Sequence, residues 1–195
     1  MIPAWFDSSK PTVVIAQNLL GHLLVHETDQ GLCSGWIVET EAYVGVEDMA
    51  CHGYQGRRTP RLEALFGSLG QFYVYQMRGH KLLNVVTEVE GIPTAVLIRA
   101  IEPYQGLDAI QRRRGKQSGF QLTNGPAKLT QALGIGMEYN GQSVLGPKLY
   151  LEFNQQLEFD HIGRGPRIGI PNKGIWTHKP LRFYVQGNPY LSQFG

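Results

Sequence analysis

Apolar and polar positions alternate most cleanly over WIVETEAYV, residues 36–44. On an extended strand Trp36, Val38, Thr40, Ala42 and Val44 fall on one face, and Ile37, Glu39, Glu41 and Tyr43 on the other. The first face reads as core and the second carries carboxylates. The stretch 11–20 reads as a short helix opened by Pro11, and 23–26 as a strand or a continuation of that helix. Thr59-Pro60 predicts a short helix over 61–66, with Thr59 at its cap and Gly67 as its stop. Residues 71–76 and 82–87 read as strands joined through Met77-Arg78-Gly79-His80, a hairpin with a basic tip. A third strand over 94–101 is expected to end at Glu102-Pro103, with helices following over 107–114 and over 126–133, where Pro126 sits in the first turn. Short strands are expected around Tyr150, over 167–170 and over 181–185.

Composition narrows this to a class. The 195 residues suit one domain, 1–195, and 24 Gly with 11 Pro favour short elements and turns over a bundle of long helices. No run of 18 apolar residues predicts a membrane span, and Met1 to Lys10 lacks the basic start and apolar run of a signal peptide. A cytoplasmic protein is expected, nucleoid-associated if bacterial. Cys33 and Cys51 occur without a CxxC, so they read as plain thiols and no metal site is expected.

Charge is unevenly spread. Residues 1–50 carry Lys10 alone against seven acids, whereas 51–135 carry eleven Lys/Arg against five acids. Within that cationic middle, Arg57, Arg58, Arg61, Arg78, Lys81, Arg112, Arg113, Arg114, Lys116 and Lys128 would face phosphates if the fold gathered them. The run Arg112-Arg113-Arg114, taken alone, reads as a solvated helix face more readily than as a recognition surface.

Two carboxylates two apart on a strand put their Cα atoms roughly 6–7 Å apart on one face. Such a pair suits acid–base work at a glycosidic bond, where a carboxylate can deprotonate water and stabilise an oxocarbenium-like sugar. Alternating glutamates are also what a solvent-facing strand shows. The pattern leaves Glu39 and Glu41 equivalent.

The blocks VETEAYVGVEDMACHG, GRRTPR, GQFYVYQMRG, LLNVV, VLIRAIEP, NGPAKLTQALGI, GPRIGI and KPLRFYV occur in this order. Together they resemble the alkyladenine (3-methyladenine) DNA glycosylase family, from about residue 11 to about residue 190. That resemblance implies an α+β domain, with a curved antiparallel sheet, surrounding helices and a protruding hairpin that inserts into DNA. It also implies hydrolysis of the N-glycosidic bond of alkylated or deaminated purines (3-methyladenine, 7-methylguanine, hypoxanthine, ethenoadenine) flipped out of duplex DNA, the first step of base excision repair. The partner is then double-stranded DNA containing damaged purines, bound by a monomer. No cofactor is implied, and no lysine for lyase chemistry.

By the same resemblance Glu41 is the catalytic base and Glu39 a supporting residue. Arg99 and the backbone carbonyl of Ile168 hold the attacking water. A buried arginine is expected to keep the glutamate ionised, although Arg99 could instead pair with Glu102. Tyr43, His52, Tyr75, Asn84 and Leu97 border the flipped base. Aromatic walls return part of the lost stacking and attract an electron-poor alkylated base, and Asn84 crowds the amine of guanine. Arg57, Thr59, Arg61 and Lys128 are placed for phosphate contacts.

The sequence departs from the family at the hairpin. Arg78 stands where familiar members have a wedging tyrosine, and the stretch up to Asn84 is one residue shorter. Met77, Arg78 and His80 are the wedge candidates, Arg78 with Met77 beside it being preferred. The altered tip keeps open a lesion-binding protein with weak or no cleavage. An RNA-binding β-rich module would use the same basic and aromatic surface.

Overall fold

The structure, a computed structural model, describes residues 3–115 and 117–192, so Lys116 lies outside the described residues. Helix α1 (Thr12–Asn18) leads into β1 (Leu23–Thr28) and the long β2 (Gly31–Tyr43). After two 3-10 segments come β3 (Phe72–Met77), β4 (His80–Val86) and β5 (Ala95–Gln105), then α2 (Leu107–Arg114) and α3 (Pro126–Leu133). Three short strands close the chain: β6 (Leu149–Glu152), β7 (Ile162–Gly165) and β8 (Arg182–Val185).

These strands form one curled antiparallel sheet in the order β3-β4-β5-β2-β1-β6. β8 pairs with β2 as well as with β7. β2 is long enough to serve two neighbours on one edge: its first half pairs with β1, and Glu39, Thr40 and Glu41 pair with β8. β5 covers the other edge. The two glutamates therefore lie mid-sheet and are fully buried. The ladder to β5 shifts on both sides of Glu39, so Ile37 and Val38 both join the main core instead of alternating between faces.

The main core packs α1, α2 and α3 against the sheet, with Ile15, Leu24, Ile98, Ile110, Leu129 and Phe183 among its members. Thr40 Oγ donates to the Ala16 carbonyl at 2.8 Å, fastening the middle of β2 to α1. A second, smaller cluster of Cys51, Leu65, Phe66, Tyr73, Val86 and Ala95 lies beneath the hairpin strands. No helix among the described residues is long and apolar enough to cross a membrane.

Several elements differ from the sequence expectation, each for a local reason. β5 runs through Pro103 because Pro103 lies opposite Gly35 at a register shift, where the missing N–H breaks no regular ladder. A Cβ on Gly35 would sit 2.8 Å from the Glu102 carbonyl oxygen, so only glycine allows this approach. Residues 167–170 are not a strand: Ile168 and Gly169 form a turn, and the strand lies earlier, at β7. The segment Pro60–Phe66 is a 3-10 helix, and Thr59 occupies its N-cap position without a side-chain bond. Of the run of arginines on α2, Arg112 is exposed, whereas Arg113 and Arg114 are taken up by side-chain contacts. Arg113 donates to the Ala132 carbonyl and Thr28 Oγ, and Arg114 to Gln131 and the Gln121 carbonyl, tying α2 to its neighbours.

Candidate active site

β2 ends in Ala42-Tyr43, and the irregular segment that follows carries Asp48, Ala50, Cys51 and His52 back beneath the hairpin. These segments, β3, β4, β5, the first turn of α3 and the Ile168–Gly169 turn enclose a cavity of about 320 Å³. Tyr43, His52, Tyr75, Asn84, Leu97, Arg99 and Ile168, all singled out in the sequence, line it together. Tyr73, Cys51, Leu65 and Pro126 line it as well. Tyr73 escaped the sequence reading, although strand alternation places it on the same face as Tyr75.

The walls are aromatic. His52 meets Tyr75 edge-on at 4.5 Å between ring centroids, and Tyr73 stacks on Tyr75 at 5.6 Å. The Tyr73 hydroxyl and His52 Nδ1 share a hydrogen bond of 2.9 Å. Desolvation and the nearby Arg57 charge lower the His52 pKa, so the ring is neutral at neutral pH. Burial drives the phenols the other way, Tyr75 up to about 12 and Tyr43 well above its ordinary value. Asn84 lies mid-strand; its Nδ2 donates to the Tyr73 carbonyl at 3.1 Å, and its side chain borders the cavity.

Glu41 lies immediately behind this wall. Its Oε1 accepts the Ile168 N–H at 2.7 Å, its Oε2 accepts the Tyr43 hydroxyl at 3.0 Å, and Arg99 Nη1 stands 3.3 Å from Oε1. All three partners line the cavity while the carboxylate has no exposed surface. Arg99 was expected to hold Glu41 ionised. Arg99, the Ile168 amide and Tyr43 all favour the charged form as expected, but burial outweighs them and the carboxyl titrates above the ordinary glutamate value. Taking a charge out of water to the centre of a sheet costs more here than one arginine at 3.3 Å and two donors return. Ile168, expected to act through its carbonyl, bonds Glu41 through its amide.

Glu39 has a different environment. Oε1 accepts Arg182 Nη1 at 2.9 Å, Oε2 accepts the Ser192 amide at 2.8 Å, and Arg99 Nε lies 3.5 Å away. Arg99 thus bridges both glutamates, and it does not pair with Glu102, which accepts from Asn188. A further buried pair was not legible in the sequence: Arg167 holds Asp48 by both nitrogens, at 2.5 and 2.8 Å, while stacking 4.6 Å above the Tyr43 ring. Their separation of 119 residues gives no local signal.

A second groove adjoins the cavity and shares His52, Tyr73, Tyr75 and Met77 with it. Arg57, Thr59 and Arg61 lie along this groove. β3 and β4 meet in a two-residue turn, Arg78-Gly79, with φ of +50° and +83°, and Met77 faces His80 across it. Positive φ at both turn positions matches the twist of the strands and is why glycine stands second. Met77 to His80 are exposed. Lys128, in the first turn of α3, donates to Gln121 and Asn124 at 2.6 and 2.7 Å. Cys33 and Cys51 are free and buried, and burial pushes the Cys51 thiol up to about 11. Among the described residues no three His, Cys, Asp or Glu side chains converge as metal ligands.

Residues 5–189 match the family described as methylpurine-DNA glycosylase. The chain is 49% identical over 194 residues to a Listeria monocytogenes protein named "Putative 3-methyladenine DNA glycosylase", covering 98% of this chain and 92% of that protein. Relatives of the same name from Staphylococcus saprophyticus and Enterococcus faecalis are 47% and 48% identical. Those matches cover 94% and 95% of this chain, and 90% and 81% of the respective relatives.

Proposed function

Because the chain belongs to the methylpurine-DNA glycosylase family, it is a DNA glycosylase, and we propose that it hydrolyses the N-glycosidic bond of damaged purines flipped from duplex DNA into the aromatic cavity. The observation that carries this reading is the Glu41 carboxylate: buried, of raised basicity, and gripped by three groups that line the cavity. Glu41 takes a proton from a water held between it, Arg99 and the Ile168 backbone. The water oxygen forms a bond to C1′, the C1′–N bond breaks, and its electron pair leaves with the base. A cationic base such as 3-methyladenine or 7-methylguanine departs neutral without an acid. Hypoxanthine and ethenoadenine, neutral in the duplex, need a proton from elsewhere.

The cavity volume of about 320 Å³ is within the usual range for small-ligand sites. Tyr43, His52 and Tyr75 offer π-faces to a base that has lost its neighbours, worth about 1–3 kcal/mol per stacked base. Leu97 supplies an apolar contact, and Asn84 sits where it can sort bases by their exocyclic groups. Arg57, Thr59 and Arg61 along the second groove, with Lys128 in the first turn of α3, follow the phosphates, and the hairpin tip enters the minor groove. The protein acts as a monomer and leaves an intact abasic site.

The test is single-turnover excision on duplexes carrying one 7-methylguanine, 3-methyladenine analogue, hypoxanthine or ethenoadenine, scored by free base and by alkali-labile sites. The parent protein is expected to release methylated purines, and Glu41→Gln to lose that activity while still binding lesion DNA. Equal release by parent and Glu41→Gln overturns the assignment of the base. Tight binding by the parent without release favours a lesion-binding protein.

A further inference from the structure

The residues around Glu41 converge on one buried ion pair that the mechanism above does not use. Arg167 and Asp48 both have fully buried side chains. Besides its two bonds to Asp48, Arg167 donates to the Ala42 carbonyl at 3.0 Å and lies over the face of Tyr43. Asp48 accepts the backbone amides of Val44 at 3.2 Å and Ala50 at 3.0 Å. The pair thus joins the end of β2, the segment leading to His52, and the turn that begins at Ile168, the residue next to Arg167. The two donors that grip the Glu41 oxygens are Tyr43, stacked under Arg167, and Ile168, its covalent neighbour.

We propose that Arg167 and Asp48 are positioning residues for the glycosylase reaction: their bidentate pair fixes Tyr43 and the Ile168 amide, and through them the orientation of the Glu41 carboxylate. The inference rests on the glycosylase reading. A planar fork is required, because one face covers the Tyr43 ring while both outer nitrogens reach Asp48 and Nη1 also reaches the Ala42 carbonyl. A lysine could neutralise Asp48 but supplies neither the plane nor the second parallel bond. Loss of the pair would free Ile168 to turn away, removing a donor that favours the ionised carboxylate. Glu41 would then be a worse-placed base that titrates higher. The other charged or titratable groups facing it are Arg99 on β5, Glu39 and Tyr43 on β2, Tyr75 on β3 and Arg182 on β8, of which Tyr43 lies against the pair.

The experiment compares Arg167→Lys and the charge-free double variant Arg167→Met/Asp48→Leu with the parent on a 7-methylguanine duplex. Parent excision is measured first, since a parent that releases nothing refutes the glycosylase reading and not the geometry of the pair. Both variants are expected to fold and to bind abasic-site duplex within a few-fold of the parent. Their single-turnover rates are expected to fall by on the order of 10-fold to 100-fold, as misplacement of a reacting group does. The acid limb of the pH–rate profile should move to higher pH in both. Arg167→Lys keeps the cation that attracts Glu41, so its shift reports the donor geometry, whereas the double variant removes that attraction as well. Parental rates with an unmoved acid limb in either folded variant overturn the proposal. So does failure of both variants to fold, which would make the pair a determinant of folding.

Discussion

Arg99 Nη1 stands 3.3 Å from Glu41 Oε1, while its Nε lies 3.5 Å from Glu39 Oε1. One guanidinium thus links two carboxylates whose other partners differ. Glu39 is tied to Arg182 and the Ser192 amide, groups that belong to the packing of β8 and the C-terminal segment. Removing one partner of a buried pair costs about 3–5 kcal/mol, because the remaining charge is stranded. Glu39→Ala is therefore expected to lower the thermal midpoint strongly, while its folded fraction keeps excision within a few-fold of the parent. Glu41→Gln should show the opposite: parental or higher stability at neutral pH, and no excision. The sign follows from the raised Glu41 pKa, whose stabilising contribution is present below the ordinary value of 4.5 and lost as pH rises through the folded value. Thermal unfolding and single-turnover rates on the two variants check both halves, and a Glu39→Ala protein that is stable but inactive would reverse the two roles.

The pH dependence of excision follows from the same burial. In the proposed mechanism Glu41 acts as a base only when ionised, so the rate on a cationic 7-methylguanine duplex should rise with pH through a limb lying above 4.5 and then level off. Protonation of His52, which occurs below its ordinary 6.5, places a second cation beside a cationic base and deepens the acid loss. Tyr43 and Tyr75, both pushed up, remain phenols and contribute no alkaline fall up to about pH 9. Hypoxanthine, which must gain a proton to leave, should instead lose rate on the alkaline side. Parallel profiles for the two substrates between pH 5 and 9 would contradict this division.

Features written in local chemistry were legible. The bounds of α3 follow from Pro126 in its first turn and Gly134 after its end, and the hairpin from Arg78-Gly79 between alternating strands. The two glutamates were visible as a pair, but alternation cannot rank them. What separates them is distant: Arg182 and Ser192 lie 143 and 153 residues from Glu39, whereas Ile168 lies 127 residues from Glu41. Pairing with β8 buries both, and no pattern within 36–44 records that β8 will cover this half of β2. For the same reason Arg167 was passed over inside GPRIGI, where only Ile168 drew notice. β7 was missed because Ile162-Gly-Arg-Gly has almost no apolar alternation; it is a strand because β8 supplies its partner.

Under the proposed base-flipping reading the hairpin tip supplies the wedge, and strand geometry places Met77 and Arg78 differently for that task. Met77 lies on the same face of β3 as Tyr73 and Tyr75, is half exposed at 51%, and borders both the cavity and the groove. It is placed to fill the gap left by a flipped base, as apolar wedges do in minor-groove binders. Arg78 occupies the turn itself at φ +50°, from where its guanidinium can stack on the neighbouring pair or reach base acceptors. A wedge that returns about 1.4 kcal/mol of the unstacking cost changes the flipped population about tenfold. Met77→Ala is thus expected to slow excision from duplex DNA about tenfold, and Arg78→Ala to slow it further at high salt, where phosphate attraction is screened. On a single-stranded substrate, where no partner base must be abandoned, both variants should approach the parental rate. Equal losses on duplex and single strand would mean that these residues shape the cavity itself, and unchanged duplex rates in both would move the wedge to His80.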